Sequence, residues 1–141
     1  MGRFVNPDNT TFKAAINTKI YVDKTELIEF TNSLIGTTEN FICNSRPRRF
    51  GKSYTANMLS AYYSKGCDSQ ELFSSLAVAK NSAYREYLNK FDVIHFDLQW
   101  FFSKEHIDET VDLITKTIVD ELKTIYEGVL SADIRTIPDA L

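Results

Sequence analysis

Apolar and polar positions change rhythm several times along the chain. The first dozen residues carry Asn6-Pro7-Asp8-Asn9-Thr10-Thr11, turn chemistry without a period, so residues 1–19 are expected to be an irregular arm that packs only at Phe4 and Phe12. The pattern proper starts at Ile20. Ile20-Tyr21-Val22 is short and apolar, and Asp23 with Glu26 three residues later is a helix start signal of the capping-box kind. Leu27, Ile28, Phe30, Leu34 and Ile35 then fall largely on one helical face, and Gly36 supplies a left-handed stop. Phe41-Ile42-Cys43 is brief but unbroken in its hydrophobicity, which predicts a central parallel strand covered on both faces.

Lys52 to Tyr63 reads as a helix that turns Met58, Leu59, Tyr62 and Tyr63 to the core and ends before Gly66. Asp68-Ser69-Gln70-Glu71 repeats the capping signature ahead of Leu72, Phe73 and Leu76, and a second short helix is expected over residues 84–88. Phe91 to Leu98 is dense in β-branched and aromatic residues and predicts the next strand. Ser103 is placed to cap a long helix whose apolar positions Ile107, Val111, Ile114, Ile118, Leu122 and Ile125 recur every three or four residues. Strand, helix, strand, helix in that order implies right-handed crossovers and an α/β fold with a parallel sheet flanked by helices. Two central strands make a thin sheet, and residues 134–141 look like a connection, so the domain is expected to be incomplete at its C-terminus.

Composition narrows this little. A length of 141 residues, 43% of them hydrophobic and 25% charged, fits one ordinary globular domain. The net charge of −3 gives no general attraction to nucleic acid or anionic lipid, so any such affinity has to come from a local patch. Cys43 and Cys67 have no spacing suited to zinc or a disulfide framework, which makes a reducing cytoplasm the default. No run approaches the roughly 20 apolar residues of a membrane helix, so no membrane association is expected.

The chemistry concentrates in Ser45-Arg46-Pro47-Arg48-Arg49-Phe50-Gly51-Lys52-Ser53, which joins the first predicted strand to a helix. A phosphate-binding loop, Gly-x-x-x-x-Gly-Lys-Ser/Thr, gathers backbone N–H groups around a β-phosphate at a helix N-terminus, where the helix dipole also favours an anion. Its lysine bridges the β- and γ-phosphates and its hydroxyl ligates Mg²⁺. Gly51, Lys52 and Ser53 match these positions, whereas the first glycine is replaced by Arg46. On the bland reading Gly51 merely permits a turn and Lys52 is solvated, although a lysine is disfavoured in the first turn of a helix. A third reading gives Arg46, Arg48, Arg49 and Lys52 to the phosphates of a nucleic acid.

Ile20-Tyr21-Val22-Asp23-Lys24-Thr25-Glu26-Leu27-Ile28 together with Arg46-Pro47-Arg48-Arg49-Phe50-Gly51-Lys52-Ser53 resembles the AAA-ATPase-like family of bacterial and archaeal proteins, in which the loop itself is written with arginine in that first position. The likeness continues through Ala56-Asn57-Met58-Leu59, Leu72-Phe73 and Val93-Ile94-His95-Phe96. It implies a P-loop NTPase-type ATPase domain, here its N-terminal part over residues 20–141, in proteins that often carry a PD-(D/E)xK nuclease-like domain further on. The implied ligands are ATP and Mg²⁺. Lys52 would be the catalytic lysine, Ser53 the metal ligand, and Arg48, Arg49, Phe50, Gly51, Lys52, Ser53 and Tyr54 the phosphate cradle. The resemblance also places Val22, Asp23 and Lys24 near the adenine, although a helix cap is the simpler role for Asp23.

The family further implies a Walker B strand ending in Asp-Glu. The local candidate, Val93-Ile94-His95-Phe96-Asp97, is followed by Leu98 instead, and the family's Asp-Glu pair is expected beyond Leu141. Nucleotide binding with poor hydrolysis is the resulting expectation, with oligomer formation and nucleic-acid contact through a wider protein left open. His95 reads as a core histidine and His106 as solvent-facing. Trp100, Phe101 and Phe102 read as packing rather than as a base-stacking platform.

Overall fold

The computed structural model describes residues 2–45, 47, 49–101, 107–131 and 133–140, with no side-chain description at 107 and 108. The helices are α1 (Thr10–Ile16), α2 (Leu27–Leu34), α3 (Lys52–Tyr63), α4 (Gln70–Ser74), α5 (Ile107–Ile125) and α6 (Ile137–Ala140), with short 3₁₀ turns at Ala77–Lys80, Ser82–Arg85 and Leu98–Trp100. The periodic stretches thus fold as their spacing dictates. Part of the arm expected to be irregular is helical, and Phe12 in α1 stacks on Phe73 with ring centroids 5.1 Å apart. The Ser103 cap expected for α5, along with Phe102 and His106, lies outside the described residues.

α3 is the axis of the main core. Its Met58, Ala61 and Tyr62 are buried with Phe12, Ile28, Phe73, Val78 and Tyr84. Each fully buried large side chain of this kind contributes about 1.5–3 kcal/mol. The two tyrosines at the end of α3 keep their hydroxyls paired, as buried phenols must. Tyr62 donates to the Tyr84 carbonyl at 2.5 Å, and Tyr63 donates to Asn32 Oδ1 of α2 at 2.7 Å. A second cluster forms where α5 supplies Ile118 and Leu122 to Val5 of the N-terminal arm.

The expected P-loop NTPase-type parallel sheet is absent: among the described residues there is no β-strand, and the fold is helical. Phe41 is 95% exposed, Ile42 47%, and Cys43 is exposed as well. A buried parallel strand needs backbone partners beside it, and among the described residues this segment forms no bridge. The second apolar run is extended but engaged elsewhere. Ile94 forms a single antiparallel bridge with Val5, and Phe91 a single parallel bridge with Ser64. The run's bridging partners among the described residues are thus the arm and the chain leaving α3, and residues 41–43 are not among them. No helix among the described residues is long and apolar enough to cross a membrane.

Candidate functional site

The loop before α3 reaches its helix through two left-handed residues, Arg49 at φ +68° and Gly51 at φ +79°. Gly51 is the N-cap of α3 and offers no side-chain hydrogen bond, and the first turn holds no acidic residue. The Gly51 carbonyl accepts from the Thr55 N–H at 3.0 Å and from the Thr55 hydroxyl at 3.2 Å. The N–H groups of a first helical turn have no acceptor within the helix, and their end of the dipole is positive. Lys52, Ser53 and Tyr54 are exposed around this end, and Phe50 is exposed beside them. Arg46 and Arg48 lie outside the described residues.

Two cavities flank the loop. The smaller, of about 200 Å³, is walled by Ile20, Tyr21, Val22, Lys24, Tyr54 and Met58 and reaches Gly51. The larger, of about 1100 Å³, contains Lys52, Ser53 and Asn57 on one wall and His95, Asp97 and Trp100 on the other. Three of the adenine-side expectations therefore separate. Val22 and Lys24 face the small cavity beside Gly51, and Lys24 Nζ donates to the Phe50 carbonyl at 3.4 Å. Asp23 is committed to the fold. It accepts from the Thr25 N–H at 2.8 Å, the Thr25 hydroxyl at 2.7 Å and the Ala77 N–H at 2.7 Å. Burial pushes the Asp23 carboxyl up, but these hydrogen bonds and the Lys80 charge outweigh it and hold the group below its ordinary value.

Tyr21, Ile20 and Met58 were not singled out for the site by sequence. Ile20 is 85% exposed, and that exposure, not its hydrophobicity, separates it from a core residue. Burial, helped by the Asp23 charge, pushes the Tyr21 hydroxyl up to about 12, so it stays a neutral donor at any ordinary pH. Across the larger cavity, His95 is only half-buried and not the enclosed core histidine expected. Its backbone N–H donates to the Phe4 carbonyl at 2.8 Å, and burial pulls its imidazole below the usual value against the opposing charge of Asp97. Trp100, expected as packing, is 67% exposed beneath the Arg3 guanidinium, 4.3 Å from the ring centroid.

Asp97 faces the same cavity as Ser53, and one of its oxygens accepts from the Gln99 N–H at 2.9 Å. Among the described residues, no group of three or more His, Cys, Asp or Glu side chains is placed to hold a metal ion. The Ser53 hydroxyl and Asp97 carboxylate are hard oxygen donors, the type that Mg²⁺ prefers when phosphates and water complete its shell.

Residues 10–137 match the sequence model of the AAA-ATPase-like family, described as Predicted AAA-ATPase. Comparison with curated proteins and with solved structures gave no significant match.

Proposed function

Because the chain belongs to the AAA-ATPase-like family, we propose that it is a nucleotide-binding module that holds the triphosphate of ATP, with Mg²⁺, at the start of α3. The observation that carries this reading is the uncapped, acid-free N-terminus of α3, entered through left-handed Gly51 and ringed by exposed Lys52, Ser53 and Tyr54. An anion there meets first-turn N–H donors that have no acceptor within the helix, the positive end of the dipole and a lysine, the set that phosphate binding at a helix N-terminus uses. Lys52 binds the β- and γ-phosphates, Ser53 contributes its hydroxyl to the metal, and Arg49 to Tyr54 form the cradle with Arg48. The small cavity, apolar at Ile20, Val22 and Met58, receives the base.

Turnover is a separate matter. Attack on the γ-phosphate needs a residue that orients or deprotonates water, and Leu98 stands where a glutamate would follow Asp97. The 141-residue chain therefore binds ATP and hydrolyses it poorly. Calorimetric titration with a slowly hydrolysed ATP analogue and Mg²⁺ tests the binding. The expected outcome is saturable binding that Lys52→Ala weakens at least about tenfold, the loss of one charge-assisted phosphate contact. Equal affinity in the two proteins would reject the assignment. Titration with single-stranded DNA at two salt concentrations checks the arginine-cluster alternative, which requires a steep fall in affinity with salt.

A further inference from the structure

Lys24 stands 28 residues before Lys52 in sequence, yet its ammonium lies at the same turn. Its contact with the Phe50 carbonyl is 3.4 Å, long for a hydrogen bond and well beyond the 2.7–2.9 Å of a charge-assisted one. A Cβ added to Gly51 would come within 3.3 Å of Lys24 Nζ, so the amine is packed against the residue that opens the helix. The neighbouring carboxylate of Asp23 is spent on Thr25 and Ala77. The first turn of α3 supplies no acid either.

A cation held loosely by a neutral carbonyl beside the positive end of a helix gains from an anion that joins it there. The two lysines also open onto different sides, Lys24 into the small cavity and Lys52 into the large one. We propose that Lys24 is a second phosphate ligand, which leaves the Phe50 carbonyl and closes on the polyphosphate from the side opposite Lys52. The inference rests on the nucleotide-binding reading and assigns Lys24 to the phosphates instead of to the base.

Inorganic tripolyphosphate, which has no base, separates these roles. Calorimetric titrations of the full chain with Mg²⁺ and either tripolyphosphate or the ATP analogue are run on wild type, Lys24→Ala, Lys24→Arg and Lys52→Ala, with melting curves of each ligand-free protein. Lys24→Ala is expected to weaken both ligands by a similar factor, about tenfold, while its ligand-free melting temperature stays at the wild-type value. Lys24→Arg should recover most of the loss. Tripolyphosphate binding unchanged in Lys24→Ala would overturn the proposal, whatever happens to the ATP analogue, as would a loss matched by a lower melting temperature in both variants. A wild-type chain that binds neither ligand, or a Lys52→Ala protein that binds both normally, would instead reject the nucleotide-binding reading itself and the Lys24 proposal with it.

Discussion

Gly51 shows how much of the site depends on one backbone conformation. At φ +79° an L side chain is strained, and a Cβ would also press on Lys24 Nζ. Gly51→Ala is expected to cost about 1–2 kcal/mol and lower the melting temperature by a few degrees. Gly51→Asn should cost less, because asparagine tolerates the left-handed region. Thermal melts of the two variants check the ranking, and an alanine variant as stable as wild type would mean that the turn relaxes freely. The sequence made Gly51, Lys52 and Ser53 legible because their chemistry is local to three adjacent positions. Spacing alone did not bring Lys24 to this loop, since it says nothing about which residue of a distant segment meets it, and only the family resemblance placed Lys24 at the nucleotide, on the adenine side. Asp23 shows the opposite limit: its spacing reads as a helix cap, yet α2 starts at Leu27 with Glu26 at its N-cap, and Asp23 instead bonds the Ala77 N–H, joining segments 54 residues apart.

At the scale of elements, period was legible and pairing was not. The helix over Lys52–Tyr63 follows from its apolar spacing, and so do most of α2 and α5. Phe41-Ile42-Cys43 has the hydrophobicity of a buried strand, yet a strand exists only when another backbone accepts its hydrogen bonds, and sequence does not name that partner. The run from Phe91 met its partners in the N-terminal arm and the end of α3, at single bridges. That arm, poor in pattern, is held by α5. The Glu121 carboxylate accepts from the Phe4 N–H at 2.9 Å and from the Val5 N–H at 3.2 Å, placing Val5 fully buried against Ile118 and Leu122. Glu121→Ala leaves those donors without an acceptor and is expected to cost about 1–3 kcal/mol. Hydrogen exchange should speed up at the Phe4 and Val5 amides while α3 keeps its protection. Equal deprotection of α3 would show that the arm is not a separable unit.

For the molecule as a whole, one carboxylate joins segments from both apolar clusters. Asp92 accepts from Lys65 Nζ at 2.7 Å, from Asn6 Nδ2 at 2.8 Å and from the Tyr126 hydroxyl. Lys65 follows α3, Tyr126 follows α5 and Asn6 belongs to the arm, so the ends of all three segments converge on it. Burial pushes the Asp92 carboxyl up, but hydrogen bonds from Lys65, Tyr126 and Asn6 and the Lys65 charge outweigh it and hold the group below its ordinary value. A depressed carboxyl means that the unfolded chain binds the proton more readily, so its stabilisation is present above the unfolded pKa and is lost as pH falls through the folded one. Lys65 has the opposite sign. The hydrogen bond to Asp92 raises its ammonium, so that contribution persists until the pH rises past the usual lysine range. Asp92→Asn is therefore expected to melt below wild type at pH 7, with the gap starting to close below about pH 4, where the unfolded chain takes up the proton, and vanishing only once the folded Asp92 is protonated as well. Melting curves from pH 3 to 9 measure this directly. A gap that stays constant down to pH 3 would mean that the Asp92 charge does not join the clusters, and that the arm is fixed by its other contacts, to Glu121 and Val93.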